Sequence, residues 1–305
     1  MIALRSFALG LKNGLVRPGL LFTLYAVNVA VALPIALVFG TILSMGFENS
    51  MAVERFLEGF DFAVFQDLLN HTQKSMGVFF QLVSVALVGY VLVNTLLAGG
   101  IFSILKDGGS KFSMATFFGG CGKYFWRFLR LLLIFAVITI ITMAVVGALL
   151  AGAYSLGTGD PDSEVTAIAW GVVVGVIALA VLISLVVLLD FAKVATVHGD
   201  MRSMLKATRA SFSFVFRHLF SVKIVVILIL LLFAGGTAAY FLGISDIGML
   251  NDLELILAFF VQQVYILFRI YLRIAFYDCE LNLYWHFAEV PRVAAPAAAA
   301  PIPAL

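Results

Sequence analysis

The residues with the most chemical potential stand close together near the C-terminal end of the chain. Gln262, Arg269, Arg273 and Glu280 follow one another at spacings of 7, 4 and 7 residues, which places all four on one face of a helix. Gln263 and Tyr265 stand beside them, and Asp190, distant in sequence, is the natural counter-ion for Arg269 or Arg273. Two guanidinium groups, a carboxylate and side-chain amides in apolar surroundings would make a polar seam able to bind an anionic headgroup or solute. The bland alternative is a structural Asp/Arg pair with arginines reaching to a membrane interface. Reaction chemistry finds less to work with. The chain has no H-E-x-x-H, no G-x-S-x-G and no G-x-x-x-x-G-K-[ST], and His198-Gly199-Asp200 offers a base and a carboxylate without a nucleophile. No catalytic residue, metal site or cofactor is therefore expected, and the expected activity is not enzymatic.

The elements that must position these residues are set by where charge is missing. Hydrophobic residues make up 63% of the 305 and charged residues only 12%, with a mean hydropathy of +1.11, far outside the usage of a soluble globular domain. Uncharged runs cover 18–47, 75–105, 131–159, 165–189 and 224–245, each longer than the roughly 20 residues needed to cross a bilayer. A sixth run, 255–268, is interrupted by Arg269, but its apolar pattern resumes through Ile270, Leu272, Ile274 and Phe276. The expected fold class is all-α: a polytopic helical membrane bundle of six transmembrane helices, with spans at about 19–45, 76–104, 131–153, 166–189, 222–243 and 253–274 in a single domain, 1–290. Residues 291–305, Pro/Ala-rich, read as a disordered tail.

Orientation follows from the basic residues, since cytoplasmic loops keep Lys and Arg. Seventeen of the 19 Lys and Arg fall on one side of the spans, with Arg55 and Lys74 on the other, while 11 of the 17 Asp and Glu fall opposite. Both termini are expected in the cytosol, and the small net charge of +2 conceals this separation. No cleavable signal peptide is expected, because the first apolar stretch is too long for an h-region and lacks an A-x-A-like site. Cys121 and Cys279 both map to the reducing side, so no disulfide is expected. Localisation in a bacterial inner membrane, as a multi-pass protein, follows from this reading.

Interfacial amphipathic helices are expected before each outward span. The first covers 1–17 with Arg5 and Lys12 among Leu4, Phe7, Leu11 and Leu15. The second carries Lys123, Arg127 and Arg130 around Tyr124-Phe125-Trp126. In the third, Met201, Leu205, Thr208, Phe212, Val215 and Leu219 form a stripe flanked by Arg202, Lys206, Arg209 and Arg217, with Asp200 as its N-cap. Lys123, Arg127, Arg130, Arg202, Lys206, Arg209 and Arg217 are the expected contacts to anionic lipid headgroups on the cytosolic face, each worth about 1 kcal/mol. The succession of basic helix, outward span, acidic loop and inward span recurs at about 100-residue intervals, a threefold topological repeat. Asn28 and Asn94 are expected to bond across helices, Pro34 to kink the first span, and the acidic segment 50–72, with the lone His71 and the sequon Asn70-His71-Thr72, to cap the outer mouth.

Gly99-Gly100 closing the second span, Phe117-Phe118 in the following loop, Asp190-Phe191-Ala192-Lys193 closing the fourth and the helix 207–217 together resemble a group of uncharacterised bacterial six-helix inner-membrane proteins, and the membrane domain attached to some glycerophosphodiester phosphodiesterases. No soluble phosphodiesterase domain is found in these residues, so the resemblance implies a membrane module and not that enzyme's activity. Two functions fit: a lipid-associated scaffold or accessory subunit of a membrane complex, and a small transporter or permease for an anionic or amphipathic solute. Expected partners are membrane lipids, a membrane protein or a second copy of the chain; nucleic acid is not expected, since the basic stripes adjoin the spans.

Overall fold

In the computed structural model, the residues described are 2–47, 62, 66, 73–107, 112–157, 164–245, 247 and 251–287. They form eight α-helices: α1 Ile2–Leu15, α2 Pro18–Phe47, α3 Gln73–Lys106, α4 Met114–Gly157, α5 Glu164–His198, α6 Met204–Arg217, α7 Leu219–Ser245 and α8 Asp252–Phe287. No strand occurs among the described residues. Six of the helices, α2, α3, α4, α5, α7 and α8, are long and apolar enough to cross a membrane. The tail 291–305 and the capping segment 50–72, with His71 and its sequon, lie outside the described residues apart from Phe62 and Gln66.

The core sits at the basic ends of the helices. Ile101, Phe102, Phe117, Phe128, Phe191 and Ile274 are fully buried there, and Phe102 meets Phe128 edge-on at 6.1 Å and Tyr277 at 4.7 Å. Toward the acidic side the helices expose Val88, Ile140, Ile168, Leu242 and Phe260. This division fits a bilayer, where apolar side chains facing lipid give helices little reason to associate, and close packing needs small residues or polar bonds. Both devices appear. A Cβ on Gly99 would stand 2.9 Å from the Gly120 carbonyl oxygen, so these two glycines let α3 and α4 cross backbone to backbone. Gly10 does the same for α1 on α8, where a Cβ would stand 2.8 Å from the Ala275 carbonyl. The α1–α8 contact is also polar: Asn13 donates to Asp278 at 2.8 Å and the Tyr271 hydroxyl donates to the Leu11 carbonyl at 2.9 Å. The first and last described helices therefore pack against each other.

Several local expectations change. The second interfacial helix is not a separate element: Lys123, Arg127 and Arg130 belong to α4, one continuous helix of 44 residues. In α6 the buried face is Met204, Ala207, Ser211 and Phe214, while Leu205 is 71% exposed, so the real seam is shifted from the expected stripe. Ser211 is decisive, because its hydroxyl donates to the Leu188 carbonyl at 2.5 Å and fixes α6 on α5. Ser203 occupies the N-cap position of α6. Asp200 instead adopts a left-handed φ of 45° at the end of α5 and pairs with Arg127 at 2.6 Å and Lys123 at 3.5 Å. Pro34 lies inside α2, which continues through it. The short-helix-then-span arrangement recurs at α1/α2 and α6/α7, whereas in α4 the two are fused.

Candidate functional site

α8 is the hub of the bundle: α1, α2, α3, α5 and α7 all pack against it. Four of them, α2, α3, α5 and α7, join α8 in lining a partly open cavity of about 750 Å³, within the size range of small-molecule sites. Toward the acidic side its wall is apolar, built from Val29, Leu182, Val186, Leu230, Phe233 and Ile266. Toward the basic side it ends on Asp190, Arg269, Arg273 and Tyr277. The gradient follows from helix direction, since α5 and α8 both run from acidic to basic side and the ionisable residues with which they line the cavity, Asp190, Arg269 and Arg273, stand in their later turns.

The floor is a connected polar group. Arg273 donates to the Asn94 side-chain oxygen and, at 3.4 Å, to the Asn94 backbone carbonyl. Its guanidinium also lies 5.7 Å from the centre of the Tyr277 ring. Asn94 thus bonds across helices as expected. Asn28 does not: it donates to the Leu24 carbonyl of its own helix at 2.9 Å. Asp190 takes neither arginine as its ion-pair partner. It accepts from Lys193, one turn along α5, at 2.7 Å, with both side chains nearly buried. A partner at i+3 on the same helix is already in place when the helix forms, which is why it wins over arginines from α8. Arg269 is exposed, lies 5.9 Å from the Tyr265 ring centre and has no ion pair among the described residues. Glu280 is 1% exposed and neither of its carboxylate oxygens has a hydrogen-bond partner.

Of the expected seam, then, Arg269, Arg273 and Asp190 line one cavity, and Glu280 lies buried. Gln262 is exposed and does not line it. Gln263 accepts from the Tyr25 hydroxyl at 2.6 Å, a bond that joins α2 to α8 instead of facing a ligand. Sequence reasoning missed Lys193 and Tyr277 as members of the floor; their positions, three residues after Asp190 and four after Arg273, were the available signal. The charge balance decides what the floor favours. Arg269, Arg273 and Lys193 face two carboxyl groups, Asp190 and Glu280, leaving positive charge over even with both ionised.

The lipid-contact candidates lie elsewhere. Arg130, Arg202, Lys206, Arg209 and Arg217 are exposed, with Leu205 and Phe216 exposed among those of α6. Lys123 and Arg127 are instead engaged by Asp200, and the hydrogen bond from Arg127 holds the Asp200 carboxyl below its ordinary range. Among the described residues no three His, Cys, Asp or Glu are grouped to hold a metal ion. Cys121 and Cys279 are buried free thiols. The chain matches no family model and has no significant match among curated proteins or solved structures.

Proposed function

We propose that this integral membrane protein binds an anionic amphiphile, with the headgroup on Arg269 and Arg273 and the apolar tail along Leu182, Val186, Leu230 and Phe233. The observation that carries this reading is the polarity of the cavity: one apolar wall ending on two arginines, one of them without an acidic partner among the described residues. If the positive-inside rule sets the basic side in the cytosol of a bacterial inner membrane, that polarity matches a lipid of the inner leaflet, headgroup toward the cytosol and chain toward the midplane. Binding is the step common to a permease and to a lipid-associated module, and the cavity favours a solute of this class over the basic surface alone. Calorimetric titration of decanesulfonate into the solubilised protein tests it. Arg269→Gln is expected to weaken binding about tenfold, the value of one charge-assisted hydrogen bond, while decanol binds no more tightly than it does to Arg269→Gln. Equal binding of decanesulfonate by both proteins would refute the site.

A second reading, a scaffold docked on anionic lipid, is supported by α6, where Lys206, Arg209 and Arg217 are exposed alongside Leu205 and Phe216. Neutralising Arg202, Lys206 and Arg209 together should cost about 3 kcal/mol of headgroup attraction. Unchanged retention of anionic lipid by nanodiscs of the triple variant would remove that support.

A further inference from the structure

Beneath the cavity floor, Glu280 is a buried acid with nothing to hold it as an anion. It is 1% exposed, both carboxylate oxygens are without donors, and the cation that acts on it, Lys193, is bonded to Asp190 at 2.7 Å. A buried polar group is ordinarily hydrogen-bonded, and a buried carboxylate with neither donor nor dedicated counter-ion is strongly disfavoured against its neutral acid. Among the described residues, the other titratable groups on the elements around it are engaged elsewhere: His198 of α5 lies against the Tyr284 and Trp285 rings, and His218 against Phe287. From α5, Asp190 and Lys193 act on Glu280. On α8 itself, Asp278 is taken by Asn13 and Asn282, and Arg273 by Asn94. From α3, Lys106 donates to the Val197 carbonyl at 2.9 Å. Tyr25, the titratable residue of α2, bonds to Gln263, and from α7 Lys223 is exposed. At the α1–α2 junction, Arg17 acts on Asp278.

We infer that Glu280 is a proton-binding site, and that its proton is linked to anion occupancy of the floor at Arg269 and Arg273. The second half rests on the amphiphile-binding reading above; the first does not. The step is simple: the Glu280 O–H bond breaks, the proton passes to water on the basic side, and the carboxylate left behind competes with Asp190 for the Lys193 ammonium. An anionic headgroup in the cavity adds negative charge beside Asp190 and makes that release harder. Binding of the headgroup therefore takes up a proton, and by reciprocity the headgroup binds more tightly when Glu280 is protonated.

Two measurements test this separately. Infrared spectra of wild-type protein carrying carboxyl-labelled glutamate should show a protonated glutamic-acid carbonyl band persisting at neutral pH, where exposed glutamates are ionised. Its absence would overturn the assignment, whatever the cavity binds, and no variant need fold for that result. Titrations of decanesulfonate, whose sulfonate stays anionic throughout, should then tighten as pH falls, by up to about tenfold per pH unit, the limit for one linked proton. Glu280→Gln, a permanent mimic of the neutral acid, should bind at the acid-side affinity with that slope removed. The same slope in wild type and Glu280→Gln would overturn the linkage. Decanesulfonate failing to bind at all would count against the amphiphile reading and leave the infrared result to judge Glu280.

Discussion

Replacing Lys193 with methionine isolates the energetics of the floor. The substitution keeps an unbranched apolar stem of similar reach and removes only the ammonium, which bonds Asp190 at 2.7 Å with side-chain exposures of 11% for Lys193 and 7% for Asp190. Breaking a buried ion pair from one side leaves an uncompensated charge and costs about 3–5 kcal/mol. For a chain of this size that corresponds to a fall in Tm of about 10 °C. Replacing both partners, as in Asp190→Asn with Lys193→Met, leaves no orphan charge, so the double variant should recover at least half of the loss. The chain carries its own reporter: Cys121 and Cys279 are buried and free, so thiol labelling against temperature follows opening of the bundle directly. A Lys193→Met variant within about 1 kcal/mol of wild type, or a double variant no more stable than the single, would refute the view of the pair as a buried electrostatic unit.

Other expectations concern packing and pH. Gly10→Ala should destabilise the protein by about 1–3 kcal/mol through overpacking, because the new methyl meets the Ala275 backbone carbonyl at 2.8 Å, and backbone cannot rotate away. Gly147→Ala, with nothing within 4 Å of its Cβ, should be neutral or slightly stabilising. Thermal scans that rank these two variants alike would contradict the close α1–α8 crossing. Asp200, held low chiefly by the hydrogen bond from Arg127, contributes stability that is present above its ordinary value of 3.8 and is lost as pH falls through its lower folded value. Asp200→Asn should thus be less stable than wild type at neutral pH, and the two curves should converge in strong acid; a constant gap would assign the effect to something other than the carboxylate charge.

The gross architecture was legible because lipid imposes a rule that sequence cannot disguise: a span is apolar for about 20 residues. Five uncharged runs of that length correspond to α2, α3, α4, α5 and α7, and the shorter sixth, interrupted by Arg269, to α8. What stayed hidden depended on residues that hydropathy ignores. The seam of α6 turns on Ala207 and Ser211, small or polar side chains that an apolar stripe passes over, and Leu205, the obvious anchor by type, faces outward. Fusion of the second basic helix into α4 was hidden because Lys123 and Arg127 do not need a break to reach polar surroundings; Asp200 comes to them. At the candidate site, the helical spacing of Arg269, Arg273 and Glu280 was readable, but the partner of Asp190 was not, because a long-range pair with α8 looked more natural than a local one with Lys193. The apolar wall was invisible in advance, since it draws scattered residues from α2, α5, α7 and α8 that resemble any others in their spans.

Native mass spectrometry of the protein extracted from its own membrane with minimal detergent tests the central claim most directly. One anionic amphiphile should remain bound per chain in wild type and be lost in Arg269→Gln, with the protein otherwise folded. Equal retention by both proteins, or wild type that carries no anionic amphiphile, would contradict a headgroup site at the floor of this cavity.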